Sequence, residues 1–278
     1  ARSRPEGIMT MQCGFIGLGD QGAPIAARMM RRYPLIVWAR RERGLKPFRG
    51  TASEVAESIA VLGARSDHVG ICVLGDANVR EVCDSLIPAM RPGSRIALHS
   101  TTHPALSAAL SAEAAARGLL LVDAPVSGGR PAAEDGTLTV MVGGEDAAVA
   151  AMRPVFETFG RLIVHLGAIG AGQSAKLLNN AMLGAGLGLA HAAVLAGDAL
   201  GLDRPALLAL IHAGSGASFA MDVYGRQKDL PAFVGRLSLF DQTHQLGEVL
   251  GTAHPAFQGL RDAAIPLFQP GWGRPDLA

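Results

Sequence analysis

Between Cys13 and Trp38 the chain reads strand, glycine turn, helix, strand, and few folds accept that order in so short a span. Cys13–Ile16 is a short apolar run. Gly17-Leu18-Gly19-Asp20-Gln21-Gly22 follows as a G-x-G-x-x-G. Residues 23–30 have helical composition with small side chains, and Leu35–Trp38 is a second apolar run. A glycine turn between strand and helix, inside a unit of ~30 residues, is the context in which a dinucleotide pyrophosphate is bound. Gly17 permits the tight turn, and Gly19 lets backbone come close to phosphate. Gly22 lets the helix sit against the strand, and the helix amino end offers N–H groups and positive potential to an anion. Leu18, Asp20 and Gln21 complete the expected cofactor turn.

The end of the second strand bears on which dinucleotide. An acid there would hold ribose hydroxyls. This chain has Ala39-Arg40-Arg41 and then Arg43, with no acid before Glu42. A guanidinium pairs bidentately with a 2′-phosphate, which a carboxylate would repel. Arg40 and Arg41 therefore point to NADP rather than NAD. The other reading, a solvated charge run beside bound NAD, stays open.

The chain has 278 residues, 49% of them hydrophobic, enough for two domains with a large core. A net charge of +1 gives no signal for nucleic acid or an acidic partner. The three cysteines, Cys13, Cys72 and Cys83, lack ligand spacing, and Cys13 and Cys72 sit in apolar runs, so buried thiols and a reducing cytoplasm are expected. No signal peptide and no apolar run of membrane-spanning length is read, so no membrane partner is expected. Residues 1–9 are polar and patternless, the expectation being a disordered leader or expression remnant outside the fold.

From Thr51 strand-like and helical segments alternate. Helices are expected at 53–62, 78–90, 103–117 and 147–159, and strands at 69–74, 95–99, 119–123, 138–142 and 162–165. The alternation implies a mainly parallel, doubly wound sheet. After Gly167 the character changes. Residues 173–200 contain no proline and read as one long apolar helix, with further helices at 205–212, 237–250 and 255–265. The fold class is α/β, a doubly wound sheet over 11–168 followed by an all-α domain over 169–278. Gly184, Gly186 and Gly188 weaken the long helix by roughly 1 kcal/mol each relative to alanine, which makes sense where another helix packs closely. So long an apolar helix also suggests burial against a second subunit.

Three constellations could carry chemistry. Asp123-Ala124-Pro125-Val126-Ser127-Gly128-Gly129 follows a strand, where doubly wound sheets bind ligands, and its two glycines can present backbone N–H groups to a carboxylate. An ordinary Gly-Gly loop is the plainer alternative. Ser100-Thr101-Thr102-His103-Pro104 offers hydroxyls to a nicotinamide, or simply caps a helix through Thr102 or His103. Gly170-Ala171-Gly172-Gln173-Ser174-Ala175-Lys176-Leu177-Leu178-Asn179-Asn180 opens the long helix, with Lys176 and Asn180 one turn apart on one face. Either Lys176 reaches solvent, or an ammonium expensive to bury sits there for its chemistry. The eight histidines form no metal cluster, and no nucleophile elbow occurs.

Together GFIGLGDQG, HSTTHP, DAPVSGGRPAAEDGTLTVMVGG and GAGQSAKLLNN, in that order, resemble the β-hydroxyacid dehydrogenase family, which includes 3-hydroxyisobutyrate dehydrogenase and tartronate semialdehyde reductase. The resemblance implies a Rossmann-type domain followed by an all-helical one, a homodimer or homotetramer, and a small carboxylate-bearing substrate. It makes Lys176 the catalytic lysine and Asn180 the substrate-orienting asparagine. Ser127, Gly128 and Gly129 match the substrate-carboxylate loop, Thr101 a threonine beside the nicotinamide, and Leu74 and Gly75 a cofactor-contacting pair. Arg40 matches the arginine of NADP-preferring members. The implied reaction is hydride transfer between NADP(H) and a β-hydroxyacid or its semialdehyde. An imine-reductase-like or non-catalytic cofactor-binding protein of the same fold is the alternative. The chain departs from the family pattern at Phe240, where a lysine is usual, at His191 in place of a glutamate, and at Asp20-Gln21 in place of Asn-Met.

Overall fold

A computed structural model describes residues 11–227, 233 and 239–267. The leader expected at 1–9, the start of the helix expected at 237–250, and the side chain of Phe240 lie outside the described residues. The chain divides into two compact units that meet in sequence between Lys176 and Leu177.

In the first unit six parallel strands pair in the order β3-β2-β1-β4-β5-β6, with β1 Cys13–Ile16, β2 Leu35–Trp38, β3 Glu54–Val55, β4 His68–Ile71, β5 Arg95–Leu98 and β6 Leu120–Asp123. β1 and β2 match the sequence reading residue for residue. Each β1 residue is fully buried, and the pleat explains how. Cys13 and Phe15 enter one core with α1 (Gly22–Met30) and α7 (Asp146–Phe156). Ile16 enters the opposite core with α3 (Ile59–Arg65), α4 (Gly75–Leu86) and α5 (Pro104–Ala115). A parallel sheet covered on both faces gives the apolar runs seen in the sequence.

Two expectations change. Residues 53–62 are not one helix. Val55 pairs with Val37 at the sheet edge, and Ser58 starts α3 by accepting the Val61 N–H at 3.2 Å. The strands expected at 138–142 and 162–165 do not join the main sheet. β8 (Leu138–Val142) pairs antiparallel with β7 (Val126–Ser127) and parallel with β9 (Gly160–His165), forming a separate three-stranded sheet. Cys13 and Cys83 are buried and Cys72 partly so, and burial pushes all three thiols up to about 12.

The second unit holds α8 (Ala171–Ala199) from Leu177 onward, then α9 (Arg204–Ala213), α10 (Phe219–Gly225), α11 (Leu239–Leu250) and α12 (Pro255–Ala264). Leu187, Ala190 and Val194 of α8 pack with Ala220, Met221 and Tyr224 of α10. The glycines of α8 serve close packing. A Cβ at Gly188 would fall on the Ala263 carbonyl oxygen, one at Gly186 would come within 2.8 Å of the Ala220 Cβ, and one at Gly184 would sit 4.0 Å from the Ala264 Cβ. At 29 residues α8 is long and apolar enough to cross a membrane, correcting the reading that no run reaches that length. A buried core helix can have the same length and composition, and 56% of the most apolar stretch of α8 is buried inside the protein.

Candidate active site

In the first unit the segments that follow β1, β2, β4 and β5 all leave at the carboxyl end of the sheet, because the strands are parallel. Strand order reverses around β1 and β4, the switch point at which such sheets take ligands. The glycine turn sits there. Gly17 has φ +96°, and any Cβ on it would strike the Cys72 carbonyl. A Cβ on Gly22 would strike the Gly17 carbonyl, so the helix can start this close only as glycine. Around Gly19 nothing lies within 4 Å of where a Cβ would be, which leaves open space against the turn. No side chain caps α1 at Gln21, and no acid occupies its first turn. Asp20 turns outward, its side chain 95% exposed and its carboxylate 3.9 Å from Arg130. The turn therefore fits a pyrophosphate, sterically and electrostatically.

Leu18 is buried beside this turn. Leu74 and Gly75 follow β4, Leu74 with its side chain largely in solvent and Gly75 at φ +73° opening α4. Arg40 and Arg41 follow β2, both exposed. Arg40 donates to Asn78 Oδ1 at 3.2 Å and to Glu81 Oε2 at 2.5 Å.

Thr101 is half-buried between two fixed neighbours. The Ser100 Oγ accepts the Val73 N–H at 2.9 Å, and the Thr102 N–H donates to Gln173 Oε1 at 3.0 Å. The cap of α5 is His103, whose Nδ1 accepts the Ala105 N–H, while Thr102 is wholly buried. Ser127 ends β7, Gly128 has φ +128°, and Gly129 has φ +67° as the first residue of α6 (Gly129–Asp135). The loop anticipated there is thus a strand-to-helix junction with two consecutive left-handed glycines and no side-chain cap.

A buried polar group to which the sequence reading gave no role of its own ties these pieces together. Asp123, fully buried at the end of β6, accepts the Gly170 N–H on Oδ1 and the Gln173 N–H on Oδ2, each at 2.7 Å. Burial pushes its carboxyl up to about 6 against the opposing pull of those N–H groups. Gln173, also fully buried, accepts from Thr102 and donates from Nε2 to the Ser100 carbonyl at 2.9 Å. The first turn of α8 is thereby anchored to the segments after β5 and β6. An acid ending an apolar strand was the available signal, since such a group must find donors.

Three residues beyond Gln173, Lys176 is 9% exposed, and burial lowers its pKa from the ordinary 10.5 to about 8. Among the described residues it has no hydrogen bond or ion pair. One turn on, in the second unit, Asn180 is 8% exposed. Its Nδ2 donates to Gln242 Oε1 on α11, and its Oδ1 accepts from Asn179 Nδ2 at 3.0 Å. The described residues contain no group of three or more metal-ligating side chains.

The fold and the glycine turn define an NAD(P)-binding protein. Residues 12–167 match the model of the NAD-binding domain of 6-phosphogluconate dehydrogenase, and residues 170–234 that described as NAD-binding of NADP-dependent 3-hydroxyisobutyrate dehydrogenase. The mitochondrial 3-hydroxyisobutyrate dehydrogenase of Mus musculus is 35% identical over 238 residues, covering 80% of this chain and 71% of the relative. The NAD-dependent L-serine dehydrogenase of Pseudomonas aeruginosa is 38% identical over 225 residues, covering 77% and 73%. The solved structure of Mycobacterium tuberculosis 3-hydroxyisobutyrate dehydrogenase with L-serine superposes with a TM-score of 0.78 at 25% identity, covering 94% of this chain and 93% of that one. The chain belongs to the β-hydroxyacid dehydrogenase family.

Proposed function

We propose that the protein is an NADP(H)-preferring oxidoreductase that interconverts a small β-hydroxyacid and its semialdehyde, with Lys176 as general acid and base. The observation that carries this reading is Lys176 itself, a buried cation with no anion beside it among the described residues and a pKa brought down to about 8. A lysine kept only for stability would not be held this way. The names of the relatives, which act on hydroxyisobutyrate and serine, support a small carboxylate-bearing substrate.

The roles divide by chemistry. The dinucleotide, when bound, supplies or accepts the hydride at the carbinol carbon. Gly17, Leu18, Gly19, Asp20, Gln21 and Gly22 hold its pyrophosphate, Arg40 and Arg41 its 2′-phosphate, and Leu74, Gly75 and Thr101 the nicotinamide side. Ser127, Gly128 and Gly129 hold the substrate carboxylate through hydroxyl and backbone N–H groups. Asn180, aimed by Asn179 and Gln242, orients the reacting oxygen. Lys176 gives a proton to that oxygen in reduction and takes one in oxidation. The exposed apolar side chains of the second unit support a homodimer or homotetramer.

Oxidation requires neutral Lys176, so its kcat/KM is expected to rise with pH and level off above about 8, while that of reduction falls over the same range. Turnover with NADPH and NADH on a panel of short hydroxyacids, aldehyde acids and imines measures this. Turnover on imines but not on aldehyde acids overturns the substrate class. Cofactor binding without any turnover leaves a nucleotide-holding protein, and a flat profile removes the lysine from proton transfer.

A further inference from the structure

Arg40 does not stand alone at the mouth of the cofactor edge. It follows β2 by two residues, and α4 begins at Gly75, shortly after β4 ends. In the sheet β1 lies between β2 and β4. The guanidinium therefore reaches past the end of β1 to α4, where it meets Asn78 and Glu81. These two are three residues apart and share a helix face. Asn78 is itself fixed, its Nδ2 donating to the Leu74 carbonyl at 2.5 Å. Arg80, between them, points elsewhere and pairs with Asp84 and Glu113.

The Arg40–Glu81 pair is a poor candidate for a stability element. Its side chains are 56% and 64% exposed, and exposed pairs contribute little. What it does at this position is neutralise one of the two arginines read above as holding a 2′-phosphate. Nearby Glu42 is engaged by Arg49 and leaves the local charge otherwise positive.

We propose that Glu81 is a second determinant of cofactor choice, a built-in competitor that a 2′-phosphate must displace from Arg40 and that a dinucleotide without this phosphate leaves in place. The inference rests on the reading that Arg40 receives the 2′-phosphate. Two anions then compete for one fork of donors, and the loser sits close to a like charge. The pair thus holds the protein short of full NADP selectivity and keeps NAD acceptable. Asn78 is neutral and accepts from the guanidinium without adding charge, so it steadies Arg40 under either occupant.

The test is fluorescence titration of the full chain with NADPH and with NADH, on wild type, Glu81→Gln, Arg40→Ala and the double variant. Glu81→Gln is expected to tighten NADPH about fivefold at low ionic strength and to leave NADH within about twofold. The gain should shrink as salt rises and vanish in the Arg40→Ala background. Should Arg40→Ala weaken NADPH while Glu81→Gln changes nothing, or shifts both cofactors equally, the competitor is refuted and the NADP reading survives. Should Arg40→Ala bind NADPH as wild type does, the NADP reading fails and takes the inference with it.

Discussion

In the first unit the strands around β1 are buried on both faces, and the large apolar side chains left in solvent, such as Leu74 and Leu162, are scattered. In the second, α9 has no buried residue, and Met182, Leu189, Leu200, Leu202, Leu210 and Phe219 are all exposed. Each unit thus departs from what stability alone would select, but in a different currency. The first carries at Lys176 a buried ammonium with no ion pair among the described residues, and the second carries exposed hydrocarbon. Departures of this kind are where function is to be sought. On the function proposed above, the buried cation serves proton transfer and the exposed hydrocarbon is the face a second subunit covers.

The sharpest way to break this comparison is to remove the cation. Lys176→Met is expected to cut turnover by about 10²–10⁴-fold while the Kd for NADPH holds. The same change should raise stability at neutral pH by roughly 1–3 kcal/mol, because a folded-state pKa lowered from 10.5 to about 8 penalises the charged form. That penalty is fully present below about 8 and fades as pH rises toward 10.5, so the gain over wild type should narrow across this window. A variant as active as wild type, or less stable, would show that the lysine is an ordinary packed side chain.

Next in size is the helix contact of the second unit. Gly188→Val must displace the Ala263 backbone and should cost about 3 kcal/mol in urea unfolding, whereas Gly184→Ala has ordinary contact distance to spare and should gain up to about 1 kcal/mol. Equal effects at the two sites would mean that the helices are not held at this approach. The smallest expected effect on stability comes from Met182→Glu with Leu189→Glu, within about 0.5 kcal/mol for the isolated chain. These changes should nonetheless reduce the mass seen in sedimentation. An assembly unchanged by both charges would leave that exposed face without a role in association.

How far the sequence disclosed all this depended on the range of the interactions. The β1–α1–β2 unit was legible because glycine turn, strand and helix are specified within one short segment. The glycines of α8 were legible as signs of close packing, but not their partners, since Ala220 and Ala263 lie tens of residues away. The tie between Asp123, Gln173 and the Ser100–Thr102 turn was illegible, because its members are 47 to 73 residues apart and no local pattern links them. Residues 53–62 misled because their apolar spacing suits a helix, while pairing of Val55 with Val37 at the sheet edge outweighed that local preference. The Ser127-Gly128-Gly129 stretch showed its flexible backbone but not that Ser127 belongs to a strand, a fact that depends on Thr139 opposite it.

The three thiols described above have a practical bearing. At neutral pH Cys13, Cys72 and Cys83 stay almost wholly protonated, since burial holds each near 12. Alkylating dyes attack the thiolate, so the native protein is close to silent toward them. A single cysteine introduced at an outward site on α8 could then be labelled selectively in the otherwise unaltered chain, giving a spectroscopic reporter of cofactor arrival and a direct check on the proposed subunit association.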